Sequence, residues 1–225
     1  MNAVPTSCRS RLQARDFEFI AATLAGSPEE RGFLSTLFEE PAALDAILEN
    51  DRLFRAVMEL TMPLAITPEL YFYVLVKRSL ADAGIVDADI ADYVAATLAD
   101  HAGGALTRSD RLPAEAAFSY HVDFVERIGE AGPFERFFLE VQCGNRFLVL
   151  TGLFPRFLER RAERRGAPGL SYYESVARQS FRTAGLHPLA EEYAVREIYG
   201  RLAECFHETR RALNRMAENR LFLGA

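Results

Sequence analysis

The sequence predicts an all-α protein on three observations. No segment alternates apolar and polar residues with the period of two that a half-buried strand needs. Apolar residues recur instead at three- and four-residue spacing along most of the chain. Helix-start signals built on Ser, Thr or Asp, and helix-stop glycines, punctuate the chain at matching intervals. With 225 residues, 49% of them hydrophobic, the chain can bury one sizeable core. The expectation is a single domain over residues 1–225, a bundle of about eight or nine helices around a central pair of apolar ones.

The elements follow in order. Ser27-Pro28-Glu29-Glu30 reads as a capping box with proline at the first helical position, opening a helix that carries Phe33, Leu34, Leu37 and Phe38 and ends at Pro41. Ala42 to Leu60 reads as one or two helices broken near Asn50-Asp51. Thr67-Pro68-Glu69 starts a helix that runs to about Ala83 and stops at Gly84. Asp87 caps the next, expected to end near His101 at Gly103-Gly104. The stretch from Gly103 to Pro113 reads as a flexible connection, followed by a helix from about Pro113 to Ile128. Gly132-Pro133 opens a strongly apolar helix, which Gly152 and Pro155 should bend or split, because Pro155 lacks the amide that would bond Thr151. Arg156 to Arg165 is polar on most faces, and Gly166 to Gly169 is a loop. Ser171-Tyr172-Tyr173-Glu174 reads as a second capping box, opening a helix to Ala184. Gly185 to Pro188 is a turn, and Leu189 to about Leu221 reads as one long terminal helix.

Two helices are candidates for the central pair. The one from Pro68 is apolar nearly all round, with Leu70, Tyr71, Phe72, Tyr73, Val74, Leu75, Val76 and Leu80 pointing in every direction. The one from Phe134 to Leu158 sets Glu140, Gln142, Asn145 and Arg146 inside an apolar run. A charge buried there needs a partner, or else it lines a cavity. Arg136, at i,i+4 spacing, and Lys77 and Arg78 on the other apolar helix are the candidate partners of Glu140.

The charge balance of 26 basic and 32 acidic residues, net −6, argues against a nucleic-acid binder driven by counterion release. Lys77 is the only lysine, and the arginine excess reads as the codon bias of a GC-rich, bacterial-type genome. Three widely spaced cysteines, Cys8, Cys143 and Cys205, form no CxxC pair and read as reduced thiols. No apolar stretch has the length of a signal peptide or of the roughly 20 residues that span a bilayer. These features lead to an expected soluble, cytoplasmic protein without a membrane partner.

The sharpest metal-like motif is Glu204-Cys205-Phe206-His207, since ExxH on a helix is half of a carboxylate-bridged di-iron site, and Glu197 lies seven residues earlier. The apolar stripe of that helix runs opposite Glu204 and His207, and no second ExxH follows, so both should face solvent or a partner. His121, with Glu115 and Glu126 nearby in sequence, is the other candidate ligand; a lone histidine is more often a hydrogen-bonded, partly buried imidazole. His101 reads as a cation at a helix C-terminus. Tyr172, Tyr173, Glu174, Arg178 and Arg182 make a dense polar face, with Glu174 and Arg178 placed for an i,i+4 ion pair and Arg182 spare. Arginine with tyrosine hydroxyls can hold a carboxylate or phosphate. No P-loop, GxGxxG after a strand, or GxSxG elbow is present.

The primary expectation is therefore a protein that works by protein contact, self-associating into a homo-oligomer through its abundant large apolar residues, among them 17 Phe, and through a second face of the long amphipathic C-terminal helix. One alternative is a helical metal- or cofactor-dependent oxidase, ferritin-like or haem-oxygenase-like. Its iron or other divalent metal would sit in a cavity lined by the Glu140 block, His121 and the Tyr71/Tyr73 helix. Another is a binder of a small anionic amphipathic ligand, held by Arg146, Arg178 or Arg182.

Overall fold

The computed structural model describes residues 4, 7–60, 65–107 and 124–221, with 103–107 and 221 described by backbone alone, and every regular element among them is helical. Among the described residues thirteen helices stand where eight or nine were expected. The chain divides into two compact units, one of residues 6–102 and one of residues 103–225 together with 1–5. The two apolar helices therefore are not a central pair, because each forms the core of its own unit.

In the first unit, a 3-10 turn at Arg9–Arg11 precedes α1 (Ala14–Leu24), α2 (Pro28–Leu37), α3 (Pro41–Leu48), α4 (Asp51–Met58), α5 (Pro68–Ala81) and α6 (Ala88–Thr107). Local signals set most of these starts. The Ser27 hydroxyl accepts from the Glu30 amide, Asn50 from Arg52, Thr67 from Leu70 and Asp87 from Ile90. Glu30 reaches back past Ser27 to the Gly26 amide at 2.6 Å, which closes the box one residue early. Gly84 takes φ +81° after α5, and the Ile85 amide returns to Leu80.

Helix α6 does not stop at Gly103-Gly104. Glycine weakens a helix by about 1 kcal/mol but forbids none of its geometry. His101 is consequently exposed more than a turn before the helix end, and not a C-terminal cation. The expected connection from residue 108 and most of the helix toward Ile128, with Glu115 and His121, lie outside the described residues.

Sequence patterning missed two polar ties in this unit. Asp16 is fully buried and accepts from the Gln13 amide, the Thr67 amide and the Thr67 hydroxyl, joining the start of α1 to the start of α5. Arg9 binds both oxygens of Asp45 at 2.8 Å and donates its amide to Asp92, while Arg11 pairs with Asp100 and Glu69. The 3-10 turn is thus pinned to α3, α5 and α6.

The second unit holds α7 (helical at 124–130), α8 (Pro133–Leu153), α9 (Pro155–Arg165), α10 (Leu170–Leu186), α11 (Leu189–Glu192), α12 (Arg196–Glu204) and α13 (Phe206–Met216), followed by a π turn at Ala217–Leu221. Helix α8 is its core. Gly144 lets the Phe181 ring of α10 approach so closely that a Cβ would sit 3.0 Å from it, and at Gly152 a Cβ would sit 2.8 Å from Leu213 of α13. Pro155 does split the helix as expected. Gly166, at φ +61°, ends α9.

Two expectations fail here. The long terminal helix breaks first at Ala194, which adopts φ 53° while the Val195 amide closes onto Ala190, and again at Cys205, where α12 gives way to α13. The Ser171 to Glu174 capping box does not form. Helix α10 begins two residues earlier than a Ser171 cap would start it, at Leu170 behind Gly169, and Glu174 is drawn away to α13. Among the described residues no helix is long and apolar enough to cross a membrane.

Candidate functional site

The first unit brings together Lys77 and Arg78 of the expected site residues. Lys77 projects from α5 into a cleft of about 180 Å³ and pairs with Glu49 at 2.9 Å. Arg78 pairs with Asp51 at 2.5 Å and Asp82 at 3.3 Å, and its guanidinium lies 5.5 Å from the centre of the Phe54 ring. Both cations are thus answered within their own unit. Tyr73 is a core residue whose hydroxyl donates to Asp45, and burial together with Asp45 pushes its phenol far up. Tyr71 is half-buried, edge-on to Phe72, and also raised by burial. Neither tyrosine lines the cleft.

The same unit carries a larger, open apolar groove of about 450 Å³ between α1, α2 and α3. Helix α2 buries none of its residues. Phe33, 64% exposed, lines the groove with Leu34, Leu37, Leu24 and Ile47, and Glu30 stands among them. Residues 6–102 carry sixteen acidic and eight basic side chains, whereas residues 103–225 carry sixteen acidic and eighteen basic.

In the second unit, Glu140 meets Ser180 of α10, with Arg136 close by. Burial lifts its carboxyl above the ordinary range, and the Ser180 hydrogen bond and Arg136 offset only part of that. Cys143 shares Ser180, and burial pushes its thiol up to about 11, which leaves it unreactive at neutral pH. Cys8 in the first unit is raised to about 12 by burial and by Asp92. Arg146, six residues along α8 from Glu140, is half-buried and has interactions of its own.

The Glu140 shift has a testable sign. A carboxyl raised on folding contributes stability that is present below its unfolded value and lost as the pH climbs through the folded one. Glu140→Gln, neutral throughout, should gain on wild type in urea midpoint between about pH 4 and pH 7. A variant that instead loses ground at pH 7 would show Glu140 to be held ionised by an ion pair.

On α10, Tyr173 is buried against Phe147 at 5.1 Å, with its phenol raised by burial, whereas Tyr172 is 41% exposed and edge-on to Tyr173. Arg178 does not pair with Glu174; its Nε donates to the Ala203 carbonyl at 3.1 Å, beside the break at Cys205. Arg182 is exposed. Glu174 pairs instead with His207 Nδ1 and with Arg210 Nε, each at 2.9 Å. Arg210 continues to Asn214 at 2.6 Å, and the Asn214 amide donates to the Thr151 and Gly152 carbonyls, both at 2.7 Å. That amide supplies the bond which Pro155 cannot. Glu204 is exposed and takes no part, so the ExxH pair does not converge; among the described residues no group of three or more His, Cys, Asp or Glu could hold a metal ion.

The start of α8 presents an aromatic surface. Phe134, 65% exposed, packs on Phe138 at 5.0 Å. Phe138 and the buried Phe137 each lie 5.9 Å from Tyr193, which is 47% exposed. His187 also packs on Phe137, at 5.3 Å, and accepts the Leu189 amide. These phenylalanines stand in the apolar helix that the sequence predicts, but their meeting with Tyr193 joins residues far apart in the chain. No family model, no curated protein and no solved structure matches this chain.

Proposed function

We propose that the protein works by contact between copies of its own chain, the aromatic surface of α8 on one copy seating in the α1–α3 groove of another. The observation that carries this reading is the aromatic surface, since large rings left in water around a buried one mark contact sites. The groove supplies what those rings lack: an open, apolar channel along helix α2, none of whose residues is fully buried. Charge favours the pairing too, because the groove belongs to the acidic part of the chain and the rings to the slightly basic part. A contact joining two different patches is head-to-tail, and it builds chains or rings rather than two-fold dimers.

Light scattering between about 1 and 100 μM should show mass rising with concentration, as expected of a modest interface. Phe134→Glu and Leu34→Glu, both at positions that the fold leaves accessible, should each abolish it. Mixed together they should form one-to-one dimers, because one variant keeps an intact groove and the other intact rings. A monomer throughout that range overturns the proposal, and association that mixing fails to restore overturns the head-to-tail geometry.

A further inference from the structure

We infer that the cleft around Lys77 is a binding site for a small carboxylic acid with an apolar tail of six to eight carbons, about the size of benzoate or hexanoate. Its volume, about 180 Å³, exceeds the roughly 150 Å³ that suffices for a benzene ring in an apolar cavity. The walls are Leu48, Phe54, Val74 and Ile85, with Val86 at the mouth. Into this apolar space points one ammonium, that of the only lysine in the chain. The Lys77 side chain is 11% exposed whereas its partner Glu49, which also lines the cleft, is 53% exposed, so the cation is enclosed and its counter-ion stands on the open side.

That asymmetry selects the ligand. Glu49 can swing into water at little cost, since an exposed carboxylate gains about 1 kcal/mol or less from such a pair. A ligand carboxylate would then take its place on Lys77 while its tail fills the cleft, making the charge-assisted hydrogen bond and burying apolar surface that water now covers. Arg78 does not compete for it: Asp51 and Asp82 hold its guanidinium on the rim, over Phe54. A single buried ammonium matches a monoanion better than a phosphate dianion, which needs several donors. The cleft and the contact surfaces share no residue, so the two proposals stand or fall separately.

Because Lys77 carries the only ε-amine, acetylation by a limiting amine-reactive ester reads this site alone, with the α-amino group as an internal control. Benzoate or hexanoate should slow Lys77 acetylation saturably, with half-protection at about 1 mM, as expected for ligands of this size. The uncharged benzyl alcohol and 1-hexanol should protect far less. Glu49→Gln removes the competing carboxylate and should tighten acid binding by about threefold. Lys77→Met, a swap of similar length into apolar walls, should keep the helical circular dichroism and lose the heat of binding. No protection by either acid at about 10 mM, ten times the expected constant, overturns the inference. So does equal protection by the alcohols, or weaker binding in Glu49→Gln.

Discussion

Asp16→Asn is expected to destabilise the first unit by about 3 to 5 kcal/mol, read as a fall in urea midpoint by circular dichroism. The carboxylate is fully buried, with the Thr67 amide on one oxygen at 2.7 Å and both the Gln13 amide and the Thr67 hydroxyl on the other at 2.8 Å. An asparagine must turn its NH₂ toward one of those two sets. Turned toward Thr67 N, it meets a backbone donor that no rotation can reverse. Turned the other way, it meets the Gln13 amide and a hydroxyl whose oxygen already accepts from Leu70. Either orientation sets an NH₂ group against a backbone N–H, and each hydrogen bond to a charged group contributes about 1.5 to 3 kcal/mol. Asp16→Ala, which leaves all three donors without this acceptor, should cost at least as much. A loss below about 1 kcal/mol would show that water reaches the site, since that is the range of exposed substitutions.

Arg210→Met should cost the second unit about 3 kcal/mol. The Arg210 side chain is 9% exposed and links Glu174, itself 13% exposed, to Asn214. Removing it leaves a mostly covered carboxylate with only His207, and frees the Asn214 side chain that holds the two carbonyls at the end of α8. The loss should come in part from the stranded charge. Glu174→Gln combined with Arg210→Met should therefore be less damaging than the sum of the two alone, with a coupling of about 1 to 3 kcal/mol in a double-mutant cycle. Strict additivity would mean that the pair contributes nothing beyond packing.

The pairing of Glu174 shows how far local sequence reaches. From spacing alone, Arg178 is the natural partner, because side chains four apart on a helix are neighbours. The observed partners lie 33 and 36 residues away, on a helix whose own start depends on a break at Cys205. Arg178 is in turn released to hold the Ala203 carbonyl at that break. Glu140 follows the same rule. Its i,i+4 neighbour Arg136 is indeed close, but the hydrogen bond comes from Ser180 on another helix, and Lys77 and Arg78 are satisfied in a different unit.

The sequence by itself determined the all-helical class and the starts of α2, α4, α5 and α6, because an N-cap is a contact between a side chain and an amide two or three residues on, complete before any tertiary packing. It also determined the split at Pro155, since a missing amide is a property of one residue. Tertiary structure decided what lies beyond that reach: that α5 and α8 are cores of separate units, that the terminal helix breaks at Ala194 and Cys205, and that Gly144 and Gly152 are points of close approach between helices. Those outcomes depend on which helices meet. Contacts between residues tens of positions apart leave no periodic trace in the chain that makes them.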